Sequence, residues 1–381
     1  LPFRVIIAGG GPAGLYAAIL IRRALPDAIV ELHEQNPPDA TFGFGVVFSD
    51  QALGFLRDDD PETAALIEPH MERWSDIAVV HGGERIDIDG VGFAGIGRLE
   101  LLKLLQSRAV SLGIEPHYGS HLDGADLPAD ADLVIGADGL NSVVRASDPE
   151  AFGTRMGVLA NRFIWFGTTR EFDALTQTFI DSDLGAFNAH HYRYAPGRST
   201  FIVETTDDIW QRAGFDAMTP EQSRQTCQQL FADTLHGTEL VSNNSYWRQF
   251  PDLWCERFHA GNRVLVGDAL HTAHFSIGSG TRLALEDVIA LVEALKSCDW
   301  KVAEALPAYQ AQREPVLRKI VDASLRSARW YEDFDKHMAL EPWAFALSYI
   351  RRAGRLDAAR LAAMAPVFTA QLEARGVPMS I

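Results

Sequence analysis

Cysteine is scarce in this chain: Cys227, Cys255 and Cys298 are the only three among 381 residues. They are too far apart for a CxxC pair or a Cys/His ligand set, which argues against a disulfide framework and a metal site and predicts reduced thiols. Long apolar runs are missing too. None reaches the roughly 20 residues of a membrane span, and the first apolar run is patterned as a strand, so no signal peptide is expected. Positive charge is in deficit, with 34 Lys and Arg against 51 Asp and Glu for a net charge of −17. That balance argues against a nucleic-acid or anionic-membrane partner. Repeats and low-complexity linkers are absent. What remains, 47% hydrophobic and 22% charged residues, suffices for a large core in two lobes, and the expected location is cytoplasmic.

The positive signals begin at once. Val5-Ile6-Ile7-Ala8 runs into Gly9-Gly10-Gly11-Pro12-Ala13-Gly14, then into Leu15-Tyr16-Ala17-Ala18. A strand that turns through GxGxxG into a helix builds a dinucleotide site. Gly9 makes the tight turn, Gly11 admits a pyrophosphate, Gly14 lets helix and strand pack closely, and the helix N-terminus supplies donors. A second apolar run ends at Glu34, 20 residues beyond Gly14, where a carboxylate meets an adenosine ribose. No second GxGxxG exists for a separate nicotinamide-binding domain.

Further along, Arg98 opens a leucine-rich helical stretch, and Ala131-Asp132-Leu133-Val134-Ile135-Gly136 reads as a buried strand ending in Ala137-Asp138-Gly139. From Phe163 to Trp247 the period is closer to two. Rossmann character returns at Arg263-Val264-Leu265-Val266-Gly267-Asp268, so the nucleotide domain is read as discontinuous, with a sheet-rich lobe inserted. Leu317, Ile320, Val321, Leu325 and Ala328 recur at helical steps and are expected in a core.

Three separated segments fit one pattern. With the first GxGxxG stand Gly136-Ala137-Asp138-Gly139-Leu140-Asn141-Ser142-Val143-Val144-Arg145 and Gly267-Asp268-Ala269-Leu270-His271. Together they resemble the fingerprints of FAD-dependent aromatic hydroxylases, the p-hydroxybenzoate hydroxylase superfamily of group A flavin monooxygenases. Gly45-Val46-Val47-Phe48-Ser49-Asp50, Phe163-Ile164-Trp165-Phe166-Gly167-Thr168 and His274-Phe275-Ser276-Ile277-Gly278-Ser279-Gly280-Thr281 are similar to a smaller branch. That branch comprises salicylyl-CoA 5-hydroxylases, 2-aminobenzoyl-CoA monooxygenases and tryptophan-derived pigment hydroxylases of the violacein pathway. Phe275 stands where the wider superfamily carries proline, and Arg282 where it carries asparagine.

The fold class expected is α/β, a two-lobe α+β arrangement: a Rossmann-like FAD-binding domain, an inserted mixed β-sheet substrate domain and a C-terminal helical segment. Residues 1–75, 96–155 and 256–300 are assigned to the first, 76–95 and 156–255 to the second, and 301–381 to the third. The resemblance implies FAD held by Gly9, Gly11, Ala13, Gly14, Glu34, Gly45, Val46, Arg98, Asp138, Asp268, Gly278, Ser279, Gly280 and Thr281. Arg98 matches the arginine that reaches the pyrophosphate, and Asp268 is placed for a ribityl hydroxyl. NADH or NADPH is the implied transient reductant, with oxygen delivered through a flavin C4a-hydroperoxide and no metal. The expected protein is a monomer or homodimer.

For the substrate, strand alternation puts His190, Tyr192 and Tyr194 on one face. An imidazole and two phenols suit a flat phenol or aniline, although an amphipathic sheet edge gives the same pattern. Phe48, Trp165 and Phe275 complete an aromatic pocket. His190 is the candidate base, His274 the second, and His271 is equally readable as structural. Ten basic residues against seven acidic ones from Arg313 to Arg360 read either as a solvated helix face or as a site for CoA phosphates. The first functional reading is hydroxylation of an aromatic acyl-CoA such as salicylyl-CoA. The others are hydroxylation of an indole-derived metabolite, an NAD-only dehydrogenase, and a non-catalytic binding module on an FAD-type fold.

Overall fold

The computed structural model describes residues 2–41, 43–49, 52–124, 127–128, 130–354 and 356–379; Asp50 of the quoted motif lies outside them. Strand Arg4–Ala8 is buried from Val5 onward, as a central strand covered on both faces must be. It pairs in parallel with Ile29–Glu34 on one side and Leu133–Gly136 on the other. Arg263–Leu265 and His117–Tyr118 extend the sheet outward, and antiparallel His259–Ala260 completes six strands. Strand order reverses at Arg4–Ala8. Such a switch point opens a crevice at the carboxyl ends, where Gly9, Asp138 and Asp268 all follow their strands.

The second sheet has eight strands. Gly185–Ala195 lies between Arg198–Thr205 and Leu175–Ser182, so His190 and Tyr192 sit in its interior and the sheet-edge reading is overturned. Leu175–Ser182 runs parallel to Ile77–His81 while its other neighbour is antiparallel, which makes the sheet mixed. The stretch from 76 to 95 divides. Ile77–His81 and Glu84–Ile88 form a hairpin at the margin of the large sheet. The chain then turns at Gly90, whose φ is 71°, and Phe93–Gly97 joins a separate sheet with Gly45–Ser49 and Glu72–Trp74.

The period-two reading of 163–247, which resumes only at strand Leu240–Ser242, is interrupted after Thr205. Helices Asp207–Arg212, Pro220–Leu230 and Ala232–Leu235 follow, and Thr219 with Gln222 forms a full capping box at the middle one. Helix Val302–Glu332 carries the expected stripe, with Leu317, Val321 and Ala328 buried. Its first part packs in the core beneath the parallel sheet, whereas Trp330 and Tyr331 enter the core beneath the mixed sheet. There they meet Phe345, Leu361 and Phe368 of the final helices. Among the described residues no helix is long and apolar enough to cross a membrane.

Candidate active site

One cavity of about 670 Å³ runs from the parallel sheet to the mixed sheet. Its first end is the glycine turn. Gly9 has φ +98°, and a Cβ there would lie 2.4 Å from the Ala137 carbonyl oxygen. A Cβ on Gly14 would lie 1.8 Å from the Gly9 carbonyl oxygen, so Gly14 packs helix against turn and does not itself line the cavity. Gly11 and Ala13 do. Glu34 lines it too. One of its oxygens accepts from the Gly10 amide at 2.8 Å and the other from the backbone and side chain of Asn36, both at 2.8 Å.

Asp138 accepts from the Val143 amide at 2.7 Å through one oxygen, while its other oxygen is buried without a protein partner. Burial pushes its carboxyl above the usual value. Arg145 ties this motif to the next, donating to the carbonyls of Leu140 and Ala269. Asp268 is surrounded by protein, yet its exposed surface faces the cavity, and no protein donor among the described residues reaches its carboxylate. Burial raises its pKa, while His271 and Arg98 pull it back. Arg98 shares the cavity wall. Burial lowers its guanidinium, and Asp268 opposes that shift.

These are the marks of a site built for a large polar ligand. Asp268 and one oxygen of Asp138 lack a protein donor, a cation faces Asp268, and the N-terminus of helix Gly280–Ser297 adds free amides at Gly280 and Thr281. Gly45, Val46, Gly278 and Ser279 line the same section. Gly45 is pinned on both sides, its amide donating to Thr200 Oγ1 at 2.9 Å and its carbonyl accepting from the Tyr192 hydroxyl at 2.8 Å.

Beyond Gly45 the walls become aromatic: Trp165, Tyr192, Phe250, Phe275 and Tyr349, with Gln177, Ile202, His190 and Arg352. His190 Nε2 lies 2.9 Å from Glu204 Oε2. Burial holds His190 well below the usual imidazole value, with Arg352 adding to the shift, and burial raises Glu204. The pair therefore fits a neutral imidazole whose Nε2–H donates to carboxylate, leaving Nδ1 for the cavity.

Three expected pocket residues do not line it. Phe48 is turned into the first core at 2% exposure. Tyr194 packs against Gly45 and Gly97, because the strand's register shifts between Arg193 and Ala195. His274 is buried beside the chamber, its Nδ1 2.8 Å from Ser276 Oγ and its pKa lowered to about 4 by burial. His271 is structural, with Nε2 2.8 Å from Asp287. Arg282 pairs with Glu286 at 2.7 Å. Glu204 was not anticipated, although a lone carboxylate in Phe201-Ile202-Val203-Glu204-Thr205 is a signal of a buried, partnered charge.

A crevice at the switch point of a parallel sheet, three glycine-linked motifs around carboxyl oxygens left open to a ligand, and an adjoining aromatic chamber define a flavin-dependent oxidoreductase. A profile of the FAD binding domain family matches residues 100–324. The chain belongs to that family and, within it, to the FAD-dependent aromatic monooxygenases. It is 41% identical over 360 residues to salicyloyl-CoA 5-hydroxylase of a Streptomyces species, covering 92% of this chain and 69% of that protein. It is 34% identical over 328 residues to 3-hydroxy-4-methyl-anthranilyl-[aryl-carrier protein] 5-monooxygenase of Streptosporangium sibiricum, covering 86% and 89%. It is 32% identical over 360 residues to protodeoxyviolaceinate monooxygenase of Chromobacterium violaceum, covering 92% and 94%. The solved structure of 2-methyl-3-hydroxypyridine-5-carboxylic acid oxygenase superposes with a TM-score of 0.71 at 18% identity, covering 93% and 96%, and shares the fold.

Proposed function

We propose that this FAD-dependent monooxygenase hydroxylates the ring of an aromatic acyl-CoA, salicylyl-CoA or a close analogue, at the 5 position to give gentisyl-CoA. The observation that carries the reading is His190, backed by Glu204, on the wall of an aromatic chamber next to the flavin section. The 41% identity to a salicyloyl-CoA hydroxylase supports the substrate class.

In this reading the segments around the parallel sheet form the FAD-binding part and the mixed sheet forms the substrate wall. Glu34 holds the adenosine ribose, Arg98 the pyrophosphate, Asp268 a ribityl hydroxyl, and the helix start at Gly280-Thr281 the flavin pyrimidine edge. Bound FAD supplies reduction by NADH or NADPH and the activation of oxygen. His190 accepts the proton of the ring hydroxyl at Nδ1, and Glu204 stabilises the imidazolium that forms. A deprotonated 2-hydroxyl enriches the carbon para to it, which in salicylate is position 5. Phe250, Phe275 and Trp165 hold the ring flat and keep water away.

The test is NAD(P)H oxidation by the purified flavoprotein with and without salicylyl-CoA, with products analysed by mass spectrometry. Stimulated oxidation with a thioester heavier by one oxygen is expected. Stimulation without an oxygenated product would refute salicylyl-CoA as the substrate.

A further inference from the structure

Four of the ten basic residues between Arg313 and Arg360 are neutralised by ion pairs. Arg313 pairs with Asp287 and Glu286, Arg318 with Glu314 and Glu256, Lys336 with Asp333, and Arg360 with Asp357. Four arginines gather at another place. Arg326, Arg329, Arg351 and Arg352 surround a surface cleft of about 390 Å³ with Trp330 and Ser348. Arg326, Arg329 and Arg352 form no ion pair with any described residue. Arg326 and Arg329 stand three apart on one helix, where like charges repel. A protein of net charge −17 has carboxylates in excess, yet among the described residues none lines this cleft.

Arg352 lines both this cleft and the catalytic cavity. It is fixed there. Its guanidinium donates to the carbonyls of Tyr349 and Ser276, both at 2.9 Å, and lies 3.9 Å over the Tyr349 ring. Ser276 follows Phe275 of the chamber wall, so the aromatic chamber and the arginine cleft meet at one immobilised cation.

Building on the acyl-CoA reading, we propose that the cleft formed by Arg326, Arg329 and Arg352 binds the phosphates of the coenzyme A nucleotide. The aromatic ring lies by His190, the pantetheine arm leaves past Arg352, and the phosphates rest on Arg326 and Arg329. Guanidinium forks match phosphate oxygens in pairs. The number of cations favours CoA over a carrier protein: CoA brings a diphosphate and a 3′-phosphate, whereas a carrier-bound pantetheine arm has a single phosphodiester.

The experiment compares wild type with the double variant R326Q/R329Q, using FAD content to confirm folding. The substrates are salicylyl-CoA, salicylyl-pantetheine and a salicylyl-carrier protein. The double variant is expected to raise KM for salicylyl-CoA on the order of tenfold, about 1.4 kcal/mol, and to leave KM for salicylyl-pantetheine unchanged. Raised salt should weaken the wild-type preference for CoA. Equal KM values for the CoA and pantetheine esters in wild type overturn the proposal, as does an unaltered KM in the variant. A carrier-protein ester with the lowest KM also overturns it. Should no thioester be turned over, the substrate reading fails, and calorimetry with free CoA decides the cleft separately. Binding by wild type that is lost in the variant supports it; no binding refutes it.

Discussion

Glu204 Oε2 lies 2.9 Å from His190 Nε2, and Glu204 Oε1 accepts from Asn161 Nδ2 at 2.8 Å. The carboxylate is thereby fixed in orientation and in turn fixes which imidazole nitrogen carries the proton. Glu204→Gln retains the shape but removes the anion that stabilises an imidazolium. Hydroxylation is expected to fall on the order of 10²-fold, with little change in flavin reduction and with hydrogen peroxide released in place of product. Stopped-flow measurement of both half-reactions checks this. Equal losses in the two would remove the pair from the proton transfer.

Asp268 gives a prediction about cofactor retention. A carboxylate on the cavity wall without a protein donor takes its hydrogen bonds from a ligand that donates to it. Asp268→Asn should yield largely flavin-free protein, seen as loss of the 450 nm band relative to protein absorbance. Full FAD occupancy would show that the ribityl contact lies elsewhere.

The neighbouring His191 points to the opposite face of the sheet, with Nε2 2.8 Å from Thr178 Oγ1 and its ring stacked 5.3 Å from Phe201. Burial lowers its pKa to about 3. The unfolded chain therefore takes up a proton near pH 6.5 that the folded chain refuses. This histidine makes stability fall as pH drops from about 6.5 towards 3, by about 2 kcal/mol at pH 5. In His191→Gln the decline in the unfolding free energy, read from urea titrations at pH 7 and pH 5, should be shallower by roughly that amount. An unchanged slope would place the acid sensitivity in other groups.

Tyr192 ties the mixed sheet to the strand that carries Gly45. Removing its hydroxyl in Tyr192→Phe leaves the Gly45 carbonyl without that donor and should cost about 1 kcal/mol. Gly45 lines the cavity, and on the proposed placement of FAD there the same variant should bind FAD more weakly, measurable by flavin fluorescence on titration. Unaltered affinity would separate this hydrogen bond from cofactor binding.

The nucleotide half was legible because its constraints are local. Gly9 is demanded by its own φ of +98° and Gly14 by the Gly9 carbonyl five residues before it, and Leu133–Gly136 is a buried run that announces a central strand. The mixed sheet was only partly legible. Its two-residue period was visible at Phe163–Phe166 and Thr200–Val203, but neighbouring strands are set by distant pairing. Nothing local says that Ile77–His81 lies beside Leu175–Ser182. Tyr194 was misplaced by a register shift that alternation cannot foresee, and Phe48 by a strand whose partner was unknown. Glu204 reaches His190, and Arg352 the chamber wall, from elements read as plain core strand and basic helix, so their role appears only in three dimensions.

Beyond Pro315, helix Val302–Glu332 contains no further proline or glycine, and it is embedded in both cores, through Leu317 and Val321 at one end and Trp330 and Tyr331 at the other. The two sheets are thus bolted to a single bar. Bending it would break successive backbone hydrogen bonds, so the gap between nucleotide crevice and aromatic chamber is a set dimension. On the acyl-CoA reading proposed above the enzyme would work as a ruler: a ring carried one atom too far from its anchor would overshoot the oxidising centre, and selectivity would follow from length as much as from the chemistry of the walls.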